Sequence, residues 1–372
     1  MASRLSFHWL TAPTRYAGLP RPRARLMLGL LALWLAVALT ALIAVGPPPV
    51  SGDPAKRAND QSDVVLYEGI VSGVRHGGDY YNVTADALRA GDYPLRPFVT
   101  FRLPGLAMVQ SHIPRPVTIG LLYLLALVTL WTWGLRLRAA MTRWPPVAIA
   151  LTLMAGGMIA FVQADLWAFH EIWAGLLVAL SLGVRQPGRW AESVGLGLAA
   201  MLIRETAALY ALVMLAAAWR EGERREAIGW AAALACLAAA LAAHAWAVHG
   251  VTNPSDPASP GWAGLHGPGF FVKAMVLSTA LQLFPLWFAA PLFALALFGW
   301  SAWRDPLALR MTAVLIAYGL ALALFARPDT FYWALMVAPL SLIGLAFVPE
   351  ALRDLVRPAL DKPRITVTRV SR

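Results

Sequence analysis

Charge is scarce in this chain: Asp, Glu, Lys and Arg supply 14% of its 372 residues, where a soluble domain carries about 25%. With 59% of residues in the AVILMFWYC set and a mean hydropathy of +0.60, the deficit excludes disorder and points to a membrane protein. Cysteine is almost missing. Cys236 stands alone in the apolar run 234–243, which rules out an intrachain disulfide and leaves the redox compartment unmarked. Neither H-E-x-x-H nor a paired C-x-x-C occurs, and His112, His249 and His266 lack ligand-like spacing. Internal repeats, heptads and low-complexity tracts are lacking too. Abundant instead are Trp (16) and Pro (27), which fit interfacial anchoring and spans that break or end sharply.

Apolar runs mark ten candidate spans, at 26–46, 117–135, 145–163, 169–184, 191–203, 206–219, 227–248, 284–302, 311–326 and 334–349. Alternating sides from a cytoplasmic N-terminus puts most of the 31 basic residues on the inner side, including Arg136, Arg185, Arg220, Arg310 and the tail. The net charge of +11 is therefore a topology signal rather than a nucleic-acid footprint. The first run reads as an uncleaved anchor, because 25 residues precede it and it is long enough to cross. Residues 270–283 read as an interfacial or re-entrant helix, since a second full span there would put Arg304 and Arg310 outside. The expected fold is all-α, a single polytopic domain over 26–349 of about ten spans. A basic cytoplasmic segment (1–25) precedes it and a basic cytoplasmic tail (350–372) follows.

The first outer loop, 47–115, is far longer than a compact bundle needs, and function is expected there. Val64, Tyr67, Val71 and Val74 form one apolar helical stripe behind Asp60 and Asp63. Gly77-Gly78 should end that helix, and Thr84 is placed to cap a second one that Gly91 terminates. Pro104 is placed to begin a third.

The order of D-x-x-x-Y (Asp63 to Tyr67), G-G-D-Y-Y (Gly77 to Tyr81), Y-P-L-R-P (Tyr93 to Pro97) and F-R-L-P (Phe101 to Pro104) resembles polytopic GT-C superfamily glycosyltransferases. More narrowly, with H-E-x-W-A-G (His170 to Gly175) and I-R-E (Ile203 to Glu205), the chain is similar to bacterial membrane proteins of cell-surface glycopolymer formation. The likeness runs over roughly residues 26–350. It implies transfer of a sugar from a polyprenyl-phosphate donor to a glycan or lipid acceptor at the outer face of the inner membrane. That chemistry needs a carboxylate base and cationic groups or a divalent metal at the phosphate.

An interfacial Asp suits the base, with Asp63 the first choice and Asp60 the second; helix capping is the competing account of both. Arg204-Glu205 and Arg327 are the outer candidates for the lipid phosphate, with Arg102 behind them. Internal ion pairing and snorkelling are the alternatives. Asp165, His170 and Glu171 form a second outer cluster that suits metal binding, acceptor orientation, pairing with Arg204 or simple solvation. Tyr80 and Tyr81 complete the substrate-binding set. A secondary transporter or lipid-carrier flippase, and a noncatalytic assembly scaffold, are the rival classes.

Overall fold

The computed structural model describes residues 9–46, 62–262 and 264–360. The chain is 77% helix, and no strand occurs among the described residues. Helices α1 (Arg21–Ala38), α5 (Arg115–Ala140), α10 (Arg224–His249) and α13 (Pro306–Leu324) are long and apolar enough to cross a membrane, α1 with its 3-10 extension to Leu42. A fifth is reached if Pro328–Met336 and α14 (Ala338–Leu360), which meet at a 62° bend, act as one span. Shorter apolar helices fill the space between: α6 (Trp144–Gly157), α7 (His170–Val184), α8 (Ala191–Ile203), α11 (Gly267–Leu277) and α12 (Leu286–Ala302). Helix α9 (Ala208–Glu221) pairs with α10.

The outside of the bundle carries many large apolar side chains. Helix α5 turns Leu124, Leu127 and Trp131 outward and buries Leu122, Ala126, Trp133 and Leu137. Helix α7 is enclosed on nearly every side, from His170 to Gly183, and is the central strut. Its Ser181 hydroxyl meets Ser193 of α8 and Tyr210 of α9, so three helices share one buried polar knot. Close crossings are made where side chains vanish: a Cβ on Gly299 of α12 would lie 1.8 Å from the Gly344 carbonyl oxygen of α14.

Unequal helix length creates a recess. The Trp133 indole of α5 donates to Ala179 O at the lower part of α7, while Tyr123 donates to Val162 O just before α7 begins. Residues 115–122 of α5 therefore rise from near the level of the start of α7 to about 12 Å above it, at 1.5 Å per residue. The outer loop fills this recess with α2 (Ser62–Arg75), α3 (Tyr80–Ala90) and α4 (Gly105–His112). Helix α2 buries Tyr67, Val71 and Val74 from the expected stripe, and Ile70 as well. Asp60 lies outside the described residues. Arg75 caps the end of α4 through the carbonyls of Gln110, Ser111 and Ile113. Helix α3 is capped by Asp79, which accepts from Asn82 N at 3.0 Å, not by Thr84, which is buried one turn inside. The earlier carboxylate reaches the free amides first, and Gly77, at φ +90°, supplies the turn that precedes it. Arg89 clamps Asp256 at 2.9 Å and ties α3 to the α10–α11 connection.

Two sequence expectations are narrowed. Of the two options for 270–283, the burial of Phe270, Phe271, Met275 and Val276 between α12 and α13 disfavours an interfacial helix and leaves the re-entrant one, with Leu283 exposed at its end. The 334–349 run is broken rather than a straight span, because Pro339 and the bend interrupt it, and its residues are almost all buried. At the end remote from the outer loop, Arg185 and Arg310 meet Glu221 and Glu226 in one buried cluster with contacts of 2.6 and 2.7 Å. The N-terminal segment is no free tail from residue 9 onward: Leu10 N donates to Glu350 of α14, and Thr14 to Asp354.

Candidate functional site

A cavity of about 760 Å³ opens under the outer loop, above the start of α7. Its sides come from α2, α3, the 93–102 strap, the first residue of α7 and Arg204 at the α8–α9 break; the roof is Trp262 and the 327–335 segment. These are the places where helices stop, so backbone and polar side chains converge without a helix ladder to occupy them.

Asp63, in the first turn of α2, accepts a 2.9 Å hydrogen bond from the Tyr93 hydroxyl. Burial pushes its carboxyl above the ordinary value of 3.8, while the Tyr93 bond and the Arg102 charge pull the other way. A carboxylate desolvated but still accepting a hydrogen bond is a stronger base than one in water. One helical turn on, the Tyr67 hydroxyl accepts from Arg102 Nε at 3.0 Å, and burial raises its pKa to about 12. Tyr80 donates to the Arg102 carbonyl at 2.7 Å, fixing the strap that carries the guanidinium.

The arginines are already partnered. Arg204, 2% exposed, is held by Glu171 and Glu205, and Arg102 lies 3.9 Å from Glu205. Glu171 is fully buried, so Arg204 is the charge that makes its burial tolerable. Arg327 sits at the rim on Asp329 (2.9 and 3.1 Å) and Ser259 (3.2 Å). It is the loosest of the three, with its Asp329 partner half exposed.

The structure thus brings together Asp63, Tyr80, Arg102, His170, Arg204 and Arg327 on the cavity wall, with Glu171 and Glu205 directly behind Arg204. It does not bring Asp165 or Tyr81 there. Asp165 is solvent-exposed and pairs with Arg115 at 3.6 Å; Tyr81 meets His244 Nδ1 at 3.2 Å on the far side of α3. Pairing with Arg204, one of the options open for the 165–171 cluster, is what Glu171 does. No group of three His, Cys, Asp or Glu side chains suited to a metal ion occurs among the described residues. Sequence does not single out Asp329 and Tyr332, and it marks Tyr93 only as the start of Y-P-L-R-P. R-P-D at 327–329 was the available signal for Asp329, since a carboxylate two residues from an unexplained arginine is its first partner.

Comparison of the chain with protein-family models, with curated proteins and with solved structures found no match. The functional reading therefore stands on the site and on the motif order alone.

Proposed function

We propose that this chain is a GT-C-type membrane glycosyltransferase. It moves a sugar from a polyprenyl-phosphate donor to a glycan, lipid or polymer acceptor at the outer face of the bacterial inner membrane. In this reading α6, α7, α8, α9 and α12 also cross, giving about ten spans with both termini cytoplasmic. The observation that carries the proposal is a half-buried carboxylate base of raised pKa, Asp63, opening onto the same cavity as three guanidinium groups. An anion-binding pore or a plain structural core has no use for a carboxylate of raised basicity beside them.

Asp63 takes the proton of the acceptor hydroxyl as its oxygen bonds the anomeric carbon. The bond from that carbon to the phosphate oxygen breaks, and the polyprenyl phosphate leaves with the electron pair. Arg327 is the first phosphate ligand, because exchanging its exposed Asp329 for a phosphate oxygen costs least, and Arg102 is the second. Arg204 serves by holding Glu171 and Glu205. The resemblance allows a divalent metal, for which no residues are assigned.

Reconstitution in liposomes with radiolabelled polyprenyl-phosphate sugars tests the proposal. Transfer of label to an acceptor supports it, whereas movement of intact lipid without transfer would make the protein a flippase.

A further inference from the structure

Buried polar side chains in this protein find partners with few exceptions. Thr129, Thr279 and Ser341 return their hydroxyls to carbonyls three or four residues back at 2.7 to 3.0 Å. The buried indoles of Trp133, Trp167 and Trp300 donate to Ala179 O, Glu68 and Leu340 O. His244 is bonded through both ring nitrogens.

Four side chains on the cavity wall break this habit: Thr84, on α3, and three others from elements outside the loop helices. Ser278, 3% exposed at the C-terminal end of α11, leaves its hydroxyl without a hydrogen-bond partner. Trp333, 8% exposed in the roof, leaves its indole N–H unpaired, and His170, 3% exposed, leaves both ring nitrogens unpaired. All three front the same cavity and come from separate elements. An unpaired buried polar atom costs about 1–3 kcal/mol, so three facing one cavity call for an explanation outside the chain.

Their chemistry defines what supplies the partners. The indole only donates, the hydroxyl donates and accepts, and an imidazole without a carboxylate contact offers one donor and one acceptor. None of the three contributes a charge when the imidazole is neutral. The charged groups of the cavity are Asp63 and the arginines with their carboxylates, and Tyr67 lies edge-on to the His170 ring at 4.8 Å. We infer that Ser278, Trp333 and His170 hydrogen-bond the hydroxyls of an uncharged saccharide, with His170 at the border of the arginines that take phosphate. This deepens the glycosyltransferase reading and rests on it: the sugar carried by the donor is a neutral one, not a uronic acid.

The test is equilibrium binding to the full-length protein in detergent, read without any transfer step. Three probes are compared: a short-chain polyprenyl-phosphate hexose, the matching uronic acid, and the same polyprenyl phosphate without sugar. The hexose lipid should bind tighter than either of the others. Ser278→Ala, Trp333→Phe and His170→Gln should each erode that preference by about tenfold, one lost hydrogen bond apiece, with sugar-free lipid binding unchanged. Thr312→Ala, which removes a satisfied hydroxyl elsewhere, should alter nothing. Ser278→Ala deletes a single oxygen, so the test does not depend on the bulkier variants folding. Equal affinity for all three lipids, tighter binding of the uronic acid, or equal weakening of sugar-bearing and sugar-free lipid by Ser278→Ala overturns the inference. Preference for the hexose lipid in a protein that transfers nothing would sink the transferase reading and leave the subsite standing.

Discussion

At Asp63 two opposing effects meet on one carboxyl group, and their balance sets both activity and stability. Asp63→Asn keeps the volume and removes the base, so transfer should fall by about 10²-fold or more with normal insertion, the range for loss of a general base. Transfer near the wild-type rate would remove Asp63 from the chemistry. The raised pKa has a separate consequence. The folded value lies above the ordinary 3.8, so between the two the native state binds more protons than the unfolded chain. Stability contributed by this group is then fully present below about pH 4 and is lost as pH rises through the folded value. Melting curves in detergent should therefore show a smaller fall above pH 4 for Asp63→Asn than for wild type. Parallel curves would mean the carboxyl titrates normally. Arg204 poses the companion question of binding against support. Arg204→Ala leaves Glu171 buried without its cation and should cost about 3–5 kcal/mol, and Glu171→Ala in the same chain should restore much of it. A double-mutant cycle on melting temperature measures this; independent, additive losses would free Arg204 for a direct role at the phosphate.

Among the elements, periodicity made the outer helices legible and packing decided the rest. The three-and-four spacing of Tyr67, Val71 and Val74 gave α2 its buried face, and Gly91 and Pro104 mark the boundaries expected of them. Apolar runs were less informative, because hydrophobicity cannot separate a lipid-facing helix from one buried in protein. Hence 270–283 reads equally as interfacial or re-entrant and 334–349 as one more span, although Pro339 marks the break in the latter. The site was visible as residue types near outer helix ends, but not as pairs: no spacing rule joins Asp63 to Tyr93 or Arg102 to Tyr67. The α12–α14 crossing shows what sequence alone leaves hidden. Gly344 would put a Cβ 1.9 Å from Ala296 O, and Gly299 would do the same to Gly344 O. Backbone has no rotamer by which to yield, so Gly299→Ala should destabilise by at least the 1–3 kcal/mol or so of ordinary overpacking. Gly29→Ala, which meets nothing within 4 Å, is the control, and a melting temperature lowered equally by both would refute the close crossing.

For the whole molecule the deciding question is which side of the membrane the cavity faces. The buried Arg185–Glu226–Arg310 cluster and the Trp9–Glu350 contact collect at one end, the 62–112 cap and the cavity at the other. The proposed orientation puts the arginine-rich end in the cytoplasm, and reactive cysteines can read it. Cys236 is exposed and must first become Ala so that its thiol does not report. Gly91 is a poor outer reporter, since a Cβ there presses on Tyr93, which holds Asp63. Asp86, with its side chain 82% exposed, avoids that. On the other side Glu192, 59% exposed, is preferable to Arg189, because removing an acid preserves the basic excess that orients the chain. In intact spheroplasts Asp86→Cys should react with an impermeant maleimide, and Glu192→Cys only after permeabilisation. Were the pattern reversed, the cavity would open on the cytoplasm, where an aqueous donor is within reach. A polyprenyl-phosphate sugar at the outer face would then lose its physical rationale, although the geometry of Asp63 and its arginines would be unchanged.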